Sequence, residues 1–146
     1  SANEFDVPLS YHHIPFVIYD PSNESFDERP DLAGQIDVFP TVMGRLGIPF
    51  INNSFGMDLT KEKRSMLVFS SDDSYCAIDS VHYFVHRLDG TETLSAYKIN
   101  INENILQENS SKVDSMREYA VSTIQAAQYI IDQRLTYSKM SSDVKK

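Results

Sequence analysis

From Arg64 onward, apolar residues recur at every second position in four short runs, "SMLVFS", "YCAID", "VHYFVHRL" and "LSAYKIN", joined by connectors as brief as "SDDS" and "DGTE". A period of two is the mark of strands. Connectors this short link only antiparallel neighbours, because a parallel pair needs a crossover of about a dozen residues or more. The runs therefore predict an antiparallel meander of three or four strands. After "NENILQENSS" the period changes, and Val113, Met116, Ala120, Ile124, Ala127, Ile131 and Leu135 follow one another in steps of three and four. That spacing predicts an amphipathic helix over residues 112–137, with Ser111 and Asp114 placed for a capping box and a frayed polar tail behind it.

The N-terminal third is patterned differently. "IPFVIYD", residues 14–20, is a continuous apolar run rich in β-branched and aromatic residues, closed by the turn formers "DPSNES". Such a run reads as a strand buried on both faces, the kind found inside parallel sheets. The polar stretch "PSNESFDERPDLAG" reads as a surface loop. In "QIDVFPTVMGRLGIP", Asp37 stands where an N-cap belongs and Pro40 in the first turn, with Phe39, Val42, Met43 and Leu46 on one face and Gly47 and Pro49 as stop signals. This predicts a helix over residues 37–46 that buries the Phe39 face. A parallel interior strand requires neighbours, and the chain offers none. The run must pair with a second copy, belong to a larger α/β protein, or form the edge of a small α+β domain. The expected class is α/β, or α+β taken as a fragment, with residues 1–62 ending an α/β core and 63–146 forming the sheet and long helix.

A chain of 146 residues with 41% hydrophobic content is large enough for one buried core. Thirteen basic against 21 acidic residues give a formal net charge of −8, which disfavours nucleic acid and anionic membrane surfaces as partners. Cys76 is the single cysteine, so neither a disulfide scaffold nor a thiolate metal site is expected. Apolar runs are five or six residues at most, well short of the roughly 20 that span a bilayer.

Residues with chemical potential are few. His82 and His86 in "HYFVH" mimic the ends of the zinc motif H-E-x-x-H, but Tyr83 stands where the glutamate belongs. On a strand their imidazoles lie roughly 13 Å apart, too far for one zinc, whose ligands are at most about 4 Å from each other. They read as histidines of the sheet surface. "SSDDS" lacks the spacing and glycine of a calcium loop and suits a turn. Tyr119, Tyr129 and Tyr137 lie off the apolar stripe and read as residues flanking the core. Phosphate loops, nucleophile elbows and paired-cysteine motifs are absent from the sequence. His12 and His13 remain, placed before the 14–20 run, with imidazoles suited to metals or anionic oxygens near neutral pH.

Taken together, "HIPFVIYDP", the polar loop, and "LAGQIDVFPTVMGRLGIPFINNSFGMDL" resemble the C-terminal portion of sulfatase-like members of the alkaline phosphatase superfamily. The likeness is nearest to the lipoteichoic acid synthase group and the related phosphoglycerol and phosphoethanolamine transferases, and it covers residues 12–59. It implies a bacterial, membrane-anchored enzyme acting outside the cytoplasm on sulfate or phosphate esters of lipid or polysaccharide headgroups. It also implies a divalent cation, Mn, Mg, Zn or Ca, bound upstream of this segment together with the nucleophile. Only His13 matches a position that lies beside the metal and headgroup in such enzymes; Asp37 and Pro40 belong to the helix motif and read as structural. The expected partner is the remainder of the parent catalytic domain. The segment alone is expected to be inactive and, with residues 14–19 uncovered, to dimerise, swap strands or aggregate. The alternative is an independently folding α+β binding module without catalysis.

Overall fold

A computed structural model describes residues 9–22, 26–71, 73–100 and 103–133. The fold is α+β. Its centre is a four-stranded antiparallel meander in sequence order, β1 (Leu67–Ser71), β2 (Ser74–Ile78), β3 (Tyr83–Arg87) and β4 (Glu92–Ser95). Before it come 3-10 turns at Leu9–His12 and Gln35–Asp37 and the helix α1 (Val38–Leu46). After it come a single helical turn, α2 (Tyr97–Asn100), a 3-10 turn at Leu106–Glu108 and the long helix α3 (Ser110–Asp132). The expected meander and its hairpins form. Gly90, at φ 82°, supplies the left-handed position that the β3–β4 turn requires, while Asp89 Oδ1 accepts from the Thr91 amide at 2.9 Å.

The register places Val68, Ala77, Phe84 and Leu94 side by side across the four strands. That row faces α3, and Ala77, Phe84 and Leu94 close with Val113, Met116 and Ala120 into one buried cluster. Burying large side chains such as Phe84, Leu94 and Met116 contributes about 1.5–3 kcal/mol each. The opposite face carries Leu67, Phe69, Cys76, Ile78, Tyr83 and Val85. Phe69 and Tyr83 stack with ring centres 6.2 Å apart on either side of buried Cys76, and the Tyr83 hydroxyl donates to Cys76 Sγ at 3.3 Å. The N-terminal arm lies against this face: the His12 ring is 4.8 Å from Phe69, and a Cβ on Gly34 would be 2.6 Å from Leu67 Cδ1.

Four sequence expectations need correction. Residues 13–20 form no strand; Val17 is 79% exposed and Tyr19 85%, since neither sheet edge lies alongside to pair with them. The helix motif forms α1, ended by Gly47 at φ 65°, but its buried residues are Pro40 and Thr41, and Phe39 is 60% exposed. The rotation is set by Asp37, whose anchoring described below turns the 37-40-41-44 face inward. "LSAYKIN" stays a strand only to Ser95, because the Tyr97 hydroxyl donates to the Asp79 carbonyl at 3.1 Å and the chain turns into α2. The capping box of α3 does not form: Asn109 holds the N-cap position, and Asp114 accepts from Arg117 Nη1 at 2.6 Å. Leu135, Tyr137 and the polar tail lie outside the described residues.

Candidate functional site

His13 follows the Leu9–His12 turn and is exposed. Among the described residues it belongs to no cluster of histidines and carboxylates that could hold a metal ion. Its neighbour His12 is spent on the Phe69 ring, so the two adjacent imidazoles serve different environments. Among the described residues, no group of three or more His, Cys, Asp or Glu side chains could hold a metal ion. The described residues therefore hold no site for the divalent cation that the family resemblance implies, which that resemblance places upstream of this segment.

Three ionic clusters hold the elements in place. The first centres on Asp37, which is fully buried. Arg64 Nε donates to its Oδ2 at 2.7 Å and Nη2 to its Oδ1, while the Gly34 and Met57 amides each donate at 2.9 Å. Burial raises the Asp37 pKa, but the Arg64 and backbone hydrogen bonds outweigh it and hold the carboxyl below its ordinary range. Arg64 Nη2 also reaches the Phe55 carbonyl at 2.8 Å. Residues 55–58 are thereby pressed onto α1: the Leu59 amide donates to Thr41 Oγ1 at 3.1 Å, and a Cβ on Gly56 would lie 2.1 Å from the Ile36 carbonyl oxygen. Asp58 packs over Gly44, where a Cβ would approach its Oδ2 to 1.9 Å. The motif residues of "QIDVFPTVMG" and "FGMDL" are thus one self-locking unit.

The second cluster joins the β2–β3 turn to α3. Asp79 Oδ1 accepts from the Val81 and His82 amides at 2.8 and 2.6 Å, and Lys112 Nζ lies 2.6 Å from Oδ2. Burial pushes this carboxyl up, yet the Lys112 bond and the two amides prevail and bring its pKa to about 2. His82 Nδ1, 3.4 Å from the same carboxylate, completes the turn. The third cluster lies between the sheet and α3. Arg117 grips Glu92 with Nε at 2.6 Å and Nη2 at 2.5 Å, His86 Nδ1 lies 3.0 Å from Glu92 Oε1, and the His86 ring stacks 4.6 Å from Tyr75. The Arg117 hydrogen bond outweighs burial and lowers the Glu92 pKa to about 2. His82 and His86 are therefore turn and sheet residues, each committed to its own carboxylate.

None of these clusters combines a nucleophile with a base. What the surface does present is an uncovered apolar belt. Ile14, Phe16, Val17, Ile18 and Tyr19 are exposed, and Asp20 brings their segment to the last turn of α1 through an ion pair to Arg45 at 3.7 Å. Phe39, Leu46, Ile48, Ile51 and Phe55 are exposed around α1. An open cleft of about 610 Å³ lies beside them, lined by Met43, Ile48, Phe50, Met57, Asp58 and Lys61 among others. Single exposed apolar residues are ordinary; here ten are exposed in two stretches, 14–19 and 39–55.

Sequence reasoning found the motif but missed what binds it. Arg64 was legible only as the start of the first strand region, and its partner lies 27 residues earlier. Glu92 and Arg117 are 25 residues apart on elements of different period, and no local pattern couples them. Among the described residues, no helix is long and apolar enough to cross a membrane. No protein-family model matches the chain, and no curated protein is significantly similar to it.

Proposed function

We propose that the chain is the C-terminal part of a bacterial metal-dependent enzyme of the sulfatase-like type, one that hydrolyses or transfers sulfate or phosphate esters of lipid or polysaccharide headgroups. The parent works at the extracytoplasmic face of a membrane to which it is anchored. The observation that carries this reading is the apolar belt beside the Asp37–Arg64 unit. A run of apolar residues at 14–19 with no sheet beside it is what an interior strand looks like without its neighbours. The role of the chain is then to complete the α/β core and to place His13 at the wall of the substrate site. A divalent cation, were it held by the rest of the enzyme as the resemblance implies, would supply Lewis-acid chemistry there, while His13 would form part of the substrate wall.

The test is an assay of the full-length protein on sulfate monoesters and phosphodiesters, with and without divalent metal. Metal-dependent turnover by the full protein and none by the 146-residue chain is the expected result. Turnover by the chain alone overturns the proposal.

The closed cluster of Ala77, Phe84, Leu94, Val113, Met116 and Ala120 favours a second reading, an independently folding α+β interaction module. The reading frame upstream of Ser1 separates the two. A T-A-D-H-G-like segment and hydrophobic spans there belong to the enzyme, and their absence belongs to the module.

A further inference from the structure

Different forces hold the two halves of the described chain. The buried cluster of the sheet and α3 is wholly apolar, and none of its members comes from residues 34–59. Within 34–59 the buried residues are Asp37, Pro40, Thr41 and Gly56, so Pro40 alone brings a buried apolar side chain. Phe39, Leu46, Ile48, Ile51 and Phe55 stand exposed and contribute little to holding the segment in place. Polar bonds take over that role: the Met57 amide donates to Asp37 Oδ1 at 2.9 Å, the Leu59 amide to Thr41 Oγ1 at 3.1 Å, and Asn52 Nδ2 to the Gly56 carbonyl at 2.6 Å.

We propose that residues 34–59 open and close as a separate unit on the folded sheet, with Arg64 as the latch. The free energy of a local opening follows the apolar surface it exposes, because hydrogen bonds that break are largely replaced by bonds to water. Opening the sheet uncovers Phe84, Leu94 and Met116, whereas opening 34–59 uncovers one proline ring and a set of polar groups. Arg64 supplies what apolar burial does not. Its guanidinium, buried, holds both Asp37 oxygens and the Phe55 carbonyl, while Nη1 reaches the Met66 carbonyl at 3.4 Å on the approach to β1. Two further ties run toward β1, the packing of Gly34 on Leu67 and an exposed Lys63–Asp31 ion pair at 3.1 Å, which water screens. The opening is a property of the chain itself and holds for an enzyme segment and for an independent module alike.

Residue-resolved hydrogen exchange of the 146-residue chain tests the proposal. The amides of α1, Met57 and Leu59 should be at least about a hundredfold less protected than those of β2 and β3. Arg64→Lys, whose ammonium cannot span both Asp37 oxygens and the Phe55 carbonyl, should speed exchange in 34–59 at least about tenfold. Met116→Ala opens a cavity under the sheet and should speed exchange in β2 and β3 at least about tenfold, yet leave 34–59 within about twofold of wild type. If Met116→Ala fails to fold, Val113→Ala makes the same test with a smaller cavity. Equal acceleration of both halves by either cavity variant overturns the proposal, since it would make them one cooperative unit. Wild-type protection of 34–59 equal to that of β2 and β3 overturns it as well. Unchanged exchange in Arg64→Lys would remove Arg64 as the latch and equally overturn it.

Discussion

Arg64 lies along the buried carboxylate of Asp37, with Nε 2.7 Å from Oδ2 and Nη2 on Oδ1, and the same Nη2 holds the Phe55 carbonyl. One guanidinium thereby ties the start of α1, the 55–58 loop and the approach to β1. Removing it leaves a buried charge with only two amide donors. Arg64→Ala is expected to destabilise the fold by about 3–5 kcal/mol. Urea unfolding followed by circular dichroism measures it, and a cost below about 1 kcal/mol would show the pair to be dispensable.

Gly56 and Gly44 test the close approach of that loop to α1. The Cβ of Gly56→Ala would meet the backbone oxygen of Ile36 at 2.1 Å, and backbone yields less readily than a side chain. Gly56→Ala should cost about 1–3 kcal/mol. The three atoms nearest a Cβ on Gly44 all belong to the Asp58 side chain, which can shift, so Gly44→Ala should cost less. Paired thermal melts would give the order, and its reversal would refute the packing described.

Asp79 and Glu92 both have pKa values lowered to about 2 in the folded chain. A carboxyl whose folded pKa lies below its unfolded value of about 4 adds stability that is complete above the unfolded value. That contribution falls away as pH drops from about 4 towards 2. The urea midpoint should decline through this window, and Lys112→Met together with Arg117→Met should flatten the decline. An unchanged slope in the double variant would show that these cations do not set the pKa values.

Exposed His13 contributes nothing visible to packing, so His13→Ala should change stability by no more than about 0.5 kcal/mol. If the proposed sulfatase-like reading holds, the same substitution in the full-length protein should lower ester turnover by about 10–100-fold, the usual cost of losing a group that supports a metal site. Equal activity in wild type and variant would remove His13 from the proposed substrate wall.

The apolar belt should bind a hydrophobic dye and promote aggregation on warming. Val17→Asp combined with Phe39→Asp is expected to reduce both without lowering the melting temperature, because both side chains are mostly exposed. A large fall in melting temperature would mean that the belt is packed in solution.

The four runs after Arg64 and the stripe of α3 were legible because strand and helix periods are local properties. Two-residue repeats and short connectors leave an antiparallel meander as the arrangement that closes every hairpin. Glycine signals were equally local, and Gly47 and Gly90 stand at the left-handed positions where the helix stop and the hairpin turn required them. Where a carboxylate had a cationic partner, the expected cap bond did not form. Asp37 does hold the N-cap position of α1, but its carboxylate makes no cap bond there and is taken by Arg64 and the Gly34 and Met57 amides. Asp114 looked like half of a capping box and is taken by Arg117.

The sequence by itself determined α1, α3, the four strands between Leu67 and Ser95 and their antiparallel topology, since these follow from side-chain period and loop length. Only the tertiary structure decided which face of α1 is buried, where Arg64, Lys112 and Arg117 find their carboxylates, and that residues 14–19 stand without a sheet. Those outcomes depend on what lies across space from each residue. A buried charge must be paired wherever its partner sits in the chain, and a strand forms only where another strand offers its hydrogen bonds.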